Sequence, residues 1–90
     1  MTFFIETLKD VLNAINFFIE HNEQYFTIRR IREYYQINPF NQGKITLIQN
    51  ILNLLEKKEF IEFSKENKSS SIYKIPNLKF NIPKIIKELI

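Results

Sequence analysis

The chain has no cysteine, and its 90 residues include only one histidine, one glycine and three prolines. Without cysteine it can form neither a disulfide nor a thiolate metal site. A single glycine also excludes the glycine-rich loops that hold phosphate groups. The carboxylates are scattered along the chain, so the sequence indicates no nucleophile with a base, no acid–base pair and no metal cluster. We therefore expect no catalysis, no cofactor and no bound metal.

Long hydrophobic runs are absent as well. The apolar stretch at residues 1–21 is interrupted by Glu6, Lys9, Asp10 and Asn13, and a membrane span needs about 18 uninterrupted residues. We expect neither a signal peptide nor a membrane span, so a cytoplasmic, intracellular location is the default expectation. The hydrophobic content of 44% is typical of a folded chain, and the length fits a single domain over residues 1–90.

Charge is unevenly distributed along the chain. Residues 1–26 contain one lysine and four acidic residues, a net charge of −3. Residues 27–74 contain nine lysines and arginines and five acidic residues, a net charge of +4. This separation is expected when one surface meets a polyanion and another surface meets protein.

Apolar residues recur every three or four positions in three segments, which is the spacing of an amphipathic helix. The pattern predicts a first helix over residues 1–22, a second over 27–36 and a third over 42–58. Thr27 is a suitable N-cap for the second helix. The second and third helices, with the turn between them, form a predicted helix-turn-helix unit over residues 27–58.

The turn between these two helices contains a proline. Pro39 disfavours helical geometry at Asn38, and asparagine is well suited to turns. If Asn41 caps the third helix, Phe40 and Ile45 occupy the two positions of a hydrophobic staple. That contact would fix the angle at which the chain enters the helix.

After the third helix the apolar period changes to two. Ile61 and Phe63 share one face, as do Tyr73 and Ile75, which predicts a two-stranded hairpin over residues 60–75. Further on, Pro83 suits the first position of a last helix over residues 83–90. The predicted fold is mainly α with a small β-hairpin, an α+β class with three helices, two strands and a short C-terminal helix.

Two short segments of the sequence resemble segments of a known protein family. Residues 27–31 (TIRRI) and residues 55–58 (LEKK), the latter followed by Phe60 and Ile61, resemble the second helix and the end of the third helix of the winged helix-turn-helix family. Their order along the chain is also similar to that family. Glu59 stands where the family often has glycine, and the turn before the third helix is longer than the tight form.

The resemblance implies sequence-specific binding of double-stranded DNA by a small transcriptional regulator. The third helix would enter the major groove, where outward-facing side chains meet base edges. The candidates for base contact are Thr46, Gln49, Asn50 and Asn53. Carboxamides pair well with adenine, which favours A·T-containing sites. The alternative is an ordinary solvated polar face.

Phosphate contacts would position that helix without reading sequence. The candidates are Arg29, Arg30, Lys44, Lys57, Lys65 and Lys68. The alternative is a solvated charged surface. The four tyrosines are assigned to packing, because aromatic residues at helical and strand spacing usually belong to a core.

Some apolar residues at both ends of the chain are not accounted for by the core of a monomer. They predict a symmetric homodimer. The predicted interface consists of Phe3, Phe17, Ile85, Ile86 and Leu89. Two recognition helices would then read half-sites about 34 to 36 Å apart. The alternative is that residues 77–90 cover both phenylalanines within one chain.

A second functional hypothesis is a winged-helix module that binds protein, either an adaptor or a subunit of a replication or transcription assembly. It is favoured by acidic residues near the predicted DNA face, namely Glu56, Glu59, Glu62 and Glu66. Fold alone does not separate the two hypotheses.

Overall fold

The computed structural model describes residues 2–66 and 71–89. Within these residues the elements are α1 (Thr2–Glu20), β1 (Tyr25–Phe26), α2 (Ile28–Tyr34), α3 (Gln42–Lys57), β2 (Glu62–Glu66), β3 (Ser71–Lys74) and α4 (Ile82–Leu89). The predicted α+β class is confirmed, since the fold is mainly helical with one small antiparallel sheet. In the described part of the chain, no helix is long and apolar enough to cross a membrane.

Among the described residues the sheet has three strands: the two strands of the predicted hairpin pair as β2 and β3, and β1 is a further strand that was not predicted. The strand order is β1-β3-β2, and both pairings are antiparallel. In β1, Phe26 stacks on Tyr73 of β3 with ring centroids 5.4 Å apart, and the Ile75 N–H donates to the Gln24 carbonyl at 2.9 Å. A strand of two residues is too short to show an alternating pattern, which is why the sequence did not reveal it.

Both predicted N-caps are confirmed. The Thr27 hydroxyl accepts a hydrogen bond from the third backbone N–H of α2 at 3.3 Å, and the Asn41 side chain accepts one from the third N–H of α3 at 3.1 Å. The predicted staple is wrong, because Phe40 is 86% exposed. Its backbone N–H donates to the Asn38 side chain at 2.8 Å, and this turn leaves the Phe40 ring in solvent.

The first three helices end in the same way although none of their ends contains glycine. Asn22, Gln36 and Glu59 adopt left-handed backbone angles, with φ of 57°, 53° and 65°. The next residue in each case donates its N–H to a carbonyl five positions earlier: Glu23 to Phe18, Ile37 to Arg32 and Phe60 to Leu55. This is the Schellman motif. It stops α2 at Tyr34, two residues before the predicted end.

The core lies between α1, α2, α3 and the sheet. Its largest fully buried side chains are Tyr73, Phe18, Phe26, Leu8, Leu12, Ile15, Ile31, Ile48, Ile51, Leu52, Leu55 and Val11. The predicted apolar faces of the first three helices supply most of this set, so the helical periodicity of the sequence places the core correctly.

The last helix docks on its own chain. The Asn16 side chain of α1 donates to the Phe80 carbonyl at 3.2 Å and accepts from the Phe80 N–H at 2.7 Å. The segment held in this way begins α4 at Ile82, one residue before the predicted start at Pro83. Ile85 is only 5% exposed. The dimer prediction for Ile85 supposed an exposed side chain, whereas Ile85 packs in the core of its own chain.

Candidate nucleic-acid interface

Four polar residues lie along one exposed side of α3. Thr46, Asn50, Asn53 and Lys57 follow one another at helical steps of four, three and four residues, and all four are exposed. We call this set the α3 outer stripe. At 1.5 Å per residue it extends about 16 Å, a length that fits within the major groove of a duplex. Three of its members were predicted as base-contacting residues and the fourth as a phosphate contact.

Gln49, the remaining predicted base contact, is placed differently. It is half-buried, and its side-chain amide donates to the Asn53 carbonyl oxygen at 3.0 Å and to the Tyr73 hydroxyl at 3.3 Å. The Tyr73 ring is 1% exposed. Tyr73 was assigned to packing alone, yet its hydroxyl anchors a short chain of hydrogen bonds that ends on the α3 outer stripe. The contact joins β3 to α3, so spacing along the chain gives no signal for it.

Lys44 does not lie with the other predicted phosphate contacts. Its ammonium donates to the Thr7 hydroxyl at 3.1 Å, lies 4.0 Å from the Asp10 carboxylate and sits 5.1 Å from the centre of the Phe3 ring. The reason is its position one turn before Ile48, which is buried. That spacing turns Lys44 toward α1 and away from the α3 outer stripe.

The two predicted arginines of α2 are engaged with acidic residues. Arg29 bonds Glu33 at 3.2 Å within the helix. Arg30 bonds both carboxylate oxygens of Glu23 at 2.7 Å and lies 5.0 Å from the Phe18 ring centre. Each guanidinium would have to share or exchange its carboxylate partner to bind a phosphate.

The other predicted cations are at the surface. Lys57 ends the α3 outer stripe, and no ion pair among the described residues involves it. Lys65 is exposed on β2. Lys68, also predicted to contact phosphate, lies outside the described residues. Lys57 and Lys65 are thus the exposed predicted phosphate contacts that form no ion pair among the described residues.

The predicted dimer residues differ in exposure. Phe17 is half-buried against His21 and Tyr34, with centroid distances of 4.0 and 4.8 Å. Ile86 and Leu89 are partly buried against the core of their own chain. Phe3 is 62% exposed. The tail leaves Phe3 exposed, while Phe17 packs against Tyr34 of α2 and against His21 at the end of α1.

Among the described residues, two ionisable groups have clearly shifted pKa values. Burial, followed by the nearby negative charge of Asp10, raises the pKa of the Tyr35 hydroxyl to about 12. The hydrogen bond and charge of Lys79 lower the pKa of Glu20. Both groups hold structural elements together, and neither belongs to the α3 outer stripe.

A broad groove of about 810 Å³ runs between the end of α3 and the sheet. Glu56, Glu59 and Glu62 line it together with the rings of Phe60 and Phe63. Lys74 also lines the groove and lies 3.6 Å from Glu62, so three carboxylates and one ammonium make the lining net acidic and partly apolar. It includes three of the four acidic residues that favoured a protein-binding module.

The described residues contain no group of three or more His, Asp or Glu side chains that could hold a metal ion. Comparison with family models, with characterised proteins and with solved structures finds no match to this chain.

Proposed function

We propose that this protein binds double-stranded DNA with sequence specificity and acts as a small, non-enzymatic transcriptional regulator. The observation that carries the proposal is the α3 outer stripe, in which Thr46, Asn50 and Asn53 offer hydrogen-bonding groups to base edges and Lys57 offers a cation to a phosphate. No side-chain hydrogen bond among the described residues engages Thr46 or Asn50. Both side chains can therefore pair with bases without losing a protein partner.

The order of elements supports a winged-helix assignment within this proposal. In that family a second helix and a recognition helix are followed by two strands that form the wing, and α2, α3, β2 and β3 follow the same order. Glu59 also adopts the left-handed backbone that glycine favours, at the position where the family often has glycine. The departure in residue type therefore leaves this helix end compatible with the family.

A homodimer is the second part of the proposal. Its support is Phe3, which is 62% exposed near the start of α1, because burial of one phenylalanine contributes about 1.5 to 3 kcal/mol. A two-fold dimer presents two copies of α3, and such a pair reads an inverted repeat whose half-sites lie about 34 to 36 Å apart.

Selection from a duplex library with a randomised centre tests both parts. We expect enrichment of A·T-containing half-sites arranged as an inverted repeat. Asn50→Ala should relax the preference at one base pair of each half-site, which corresponds to about 1 to 3 kcal/mol of discrimination. Asn13→Ala, an exposed asparagine of α1, is the matched control and should select the wild-type motif.

Each result of the selection decides a different statement. A library that remains random after selection contradicts sequence-specific binding. If Asn50→Ala selects the same motif as the wild-type protein, the placement of α3 in the major groove is contradicted. If the selected motif is a single half-site without an inverted copy, the dimer is contradicted.

A protein-binding module is the rival function, and the acidic groove is the observation that favours it. A partner with basic and apolar side chains would complement Glu56, Glu59 and Glu62 beside the two phenylalanine rings. This function predicts that the selection enriches no sequence and that Asn50→Ala and the wild-type protein give the same result in it.

A further inference from the structure

A separate cavity of about 230 Å³ lies among the first three helices. The buried side chains of Val11, Ile31 and Ile48 lie behind it, the half-buried Tyr35 and Ile37 provide its accessible apolar lining, and Thr7, Asp10 and Lys44 provide polar groups. The sequence indicated no small-molecule site, because these residues are spread over more than forty positions of the chain. Folding brings them to one place at the side of α3 that faces α1.

The size of this cavity suits a small ligand. A buried apolar cavity of about 150 Å³ can hold benzene, whereas sites for drug-sized molecules begin at about 300 Å³. The volume here falls between these limits. A ligand with one short branched apolar group and a compact polar end matches the volume of the cavity and its mixture of apolar and polar lining residues.

The polar groups supply one charge of each sign. The Lys44 ammonium has three donors, of which one bonds the Thr7 hydroxyl at 3.1 Å. The Asp10 carboxylate is 4.0 Å from that ammonium, beyond the range of a hydrogen bond. Among the described residues, no side-chain hydrogen bond ends on the Asp10 carboxylate. Both charged groups therefore keep bonding capacity at the cavity.

We propose that this cavity binds an α-amino acid with a branched apolar side chain. The ligand carboxylate bonds Lys44, the ligand ammonium bonds Asp10, and the apolar side chain contacts Tyr35 and Ile37. A zwitterion satisfies two opposite charges that stand side by side, whereas a simple acid or amine leaves one of them without a ligand partner. Binding at this site does not depend on the proposed binding of DNA.

Lys44 and Ile48 also connect the cavity to the α3 outer stripe, because they lie on the opposite side of the same helix. A ligand held between α1 and α3 favours the helix position that it contacts. The ligand site is therefore placed where occupancy can change how α3 meets a duplex.

Titration of the full chain by amide NMR, in the absence of DNA, tests the proposal. The probes are leucine, isocaproate, which lacks the amine, and isoamylamine, which lacks the carboxylate. We expect leucine to shift the signals of Thr7, Asp10 and Lys44 saturably, with a Kd of about 1 mM or lower, and the two truncated probes to bind at least about tenfold more weakly. The absence of saturable shifts with leucine overturns the proposal, as does equal binding of isocaproate.

Variants locate the site. Asp10→Asn keeps the shape of a half-exposed side chain and removes its charge, and Lys44→Met keeps most of the aliphatic stem. Each should weaken leucine binding at least about tenfold, whereas Lys9→Met, an exposed lysine on α1, should not. Thermal unfolding shows which variants are folded, and a folded Asp10→Asn protein that binds leucine normally overturns the proposal.

Discussion

Single side chains at the edge of the core connect elements that are distant in the sequence. The Tyr35 hydroxyl donates to the backbone carbonyl of Asp10 at 2.8 Å and so joins the C-cap of α2 to α1. The Tyr73 hydroxyl accepts from Gln49 and so joins β3 to α3. In both cases the ring packs inside while the hydroxyl finds a partner, as buried tyrosines generally require.

The Tyr35 bond predicts how stability changes at high pH. Because the pKa of Tyr35 in the folded chain is about 12 and its ordinary value is 10.0, its contribution is fully present below about pH 10 and is lost as pH rises toward 12. Tyr35→Phe lacks the hydroxyl and should be less stable near neutral pH by about 0.5 to 1.5 kcal/mol. The difference from wild type should shrink between pH 10 and 12.

Urea unfolding at a series of pH values measures this difference. Lysine titration occurs in both proteins and cancels from the comparison. Tyr25→Phe changes an exposed ring and should retain the wild-type pH dependence. A constant gap between wild type and Tyr35→Phe across this range would show that the Tyr35 hydroxyl does not resist ionisation in the folded chain.

Among the helices, the three Schellman ends carry local strain. A residue with a Cβ in left-handed geometry costs about 1 to 2 kcal/mol, and asparagine tolerates it better than glutamine or glutamate. Gln36 and Glu59 therefore hold an unfavourable backbone that the surrounding fold compensates. The reason is visible in composition, since the single glycine of the chain is Gly43, within α3.

Glycine at these ends should stabilise the protein. Gln36→Gly and Glu59→Gly each relieve the left-handed strain but increase the freedom of the unfolded chain, so we expect a net gain of about 0.5 to 1 kcal/mol. Asn22→Gly should gain less, and Glu62→Gly, at the start of β2, should lose stability. The free energy of unfolding in urea measures all four. A loss with Glu59→Gly equal to that with Glu62→Gly would contradict the strain argument.

Much of the helical framework could be predicted from the sequence, because periodicity and caps are local signals. Thr27 and Asn41 were identified as caps, and the α3 outer stripe follows from the apolar face opposite it. The third strand, the placement of Lys44 and the burial of Ile85 could not be predicted. Each depends on which element packs beside it, and that information lies tens of residues away in the sequence.

In the whole folded molecule, fewer basic residues are available to bind a duplex than the charge pattern of the sequence suggests. The region of net charge +4 suggested a broad basic surface, but in the fold Arg29 and Arg30 bond acidic partners and Lys44 faces α1. The cations that remain open to phosphate near α3 are therefore fewer than the sequence count. Any affinity for a duplex should depend strongly on those few positions.

The salt dependence of binding measures how many cations take part. We expect affinity for a duplex to fall between about 50 and 200 mM salt, and the double variant Lys57→Ala, Lys65→Ala to have a log–log slope shallower by about 1.8, from about 0.9 per phosphate contact. Lys84→Ala, Lys87→Ala removes the same charge from exposed positions of α4 and should keep the wild-type slope. Equal slopes for the two double variants would mean that net charge, not the surface beside α3, attracts the duplex. No binding at either salt concentration would instead favour the acidic groove and a protein partner.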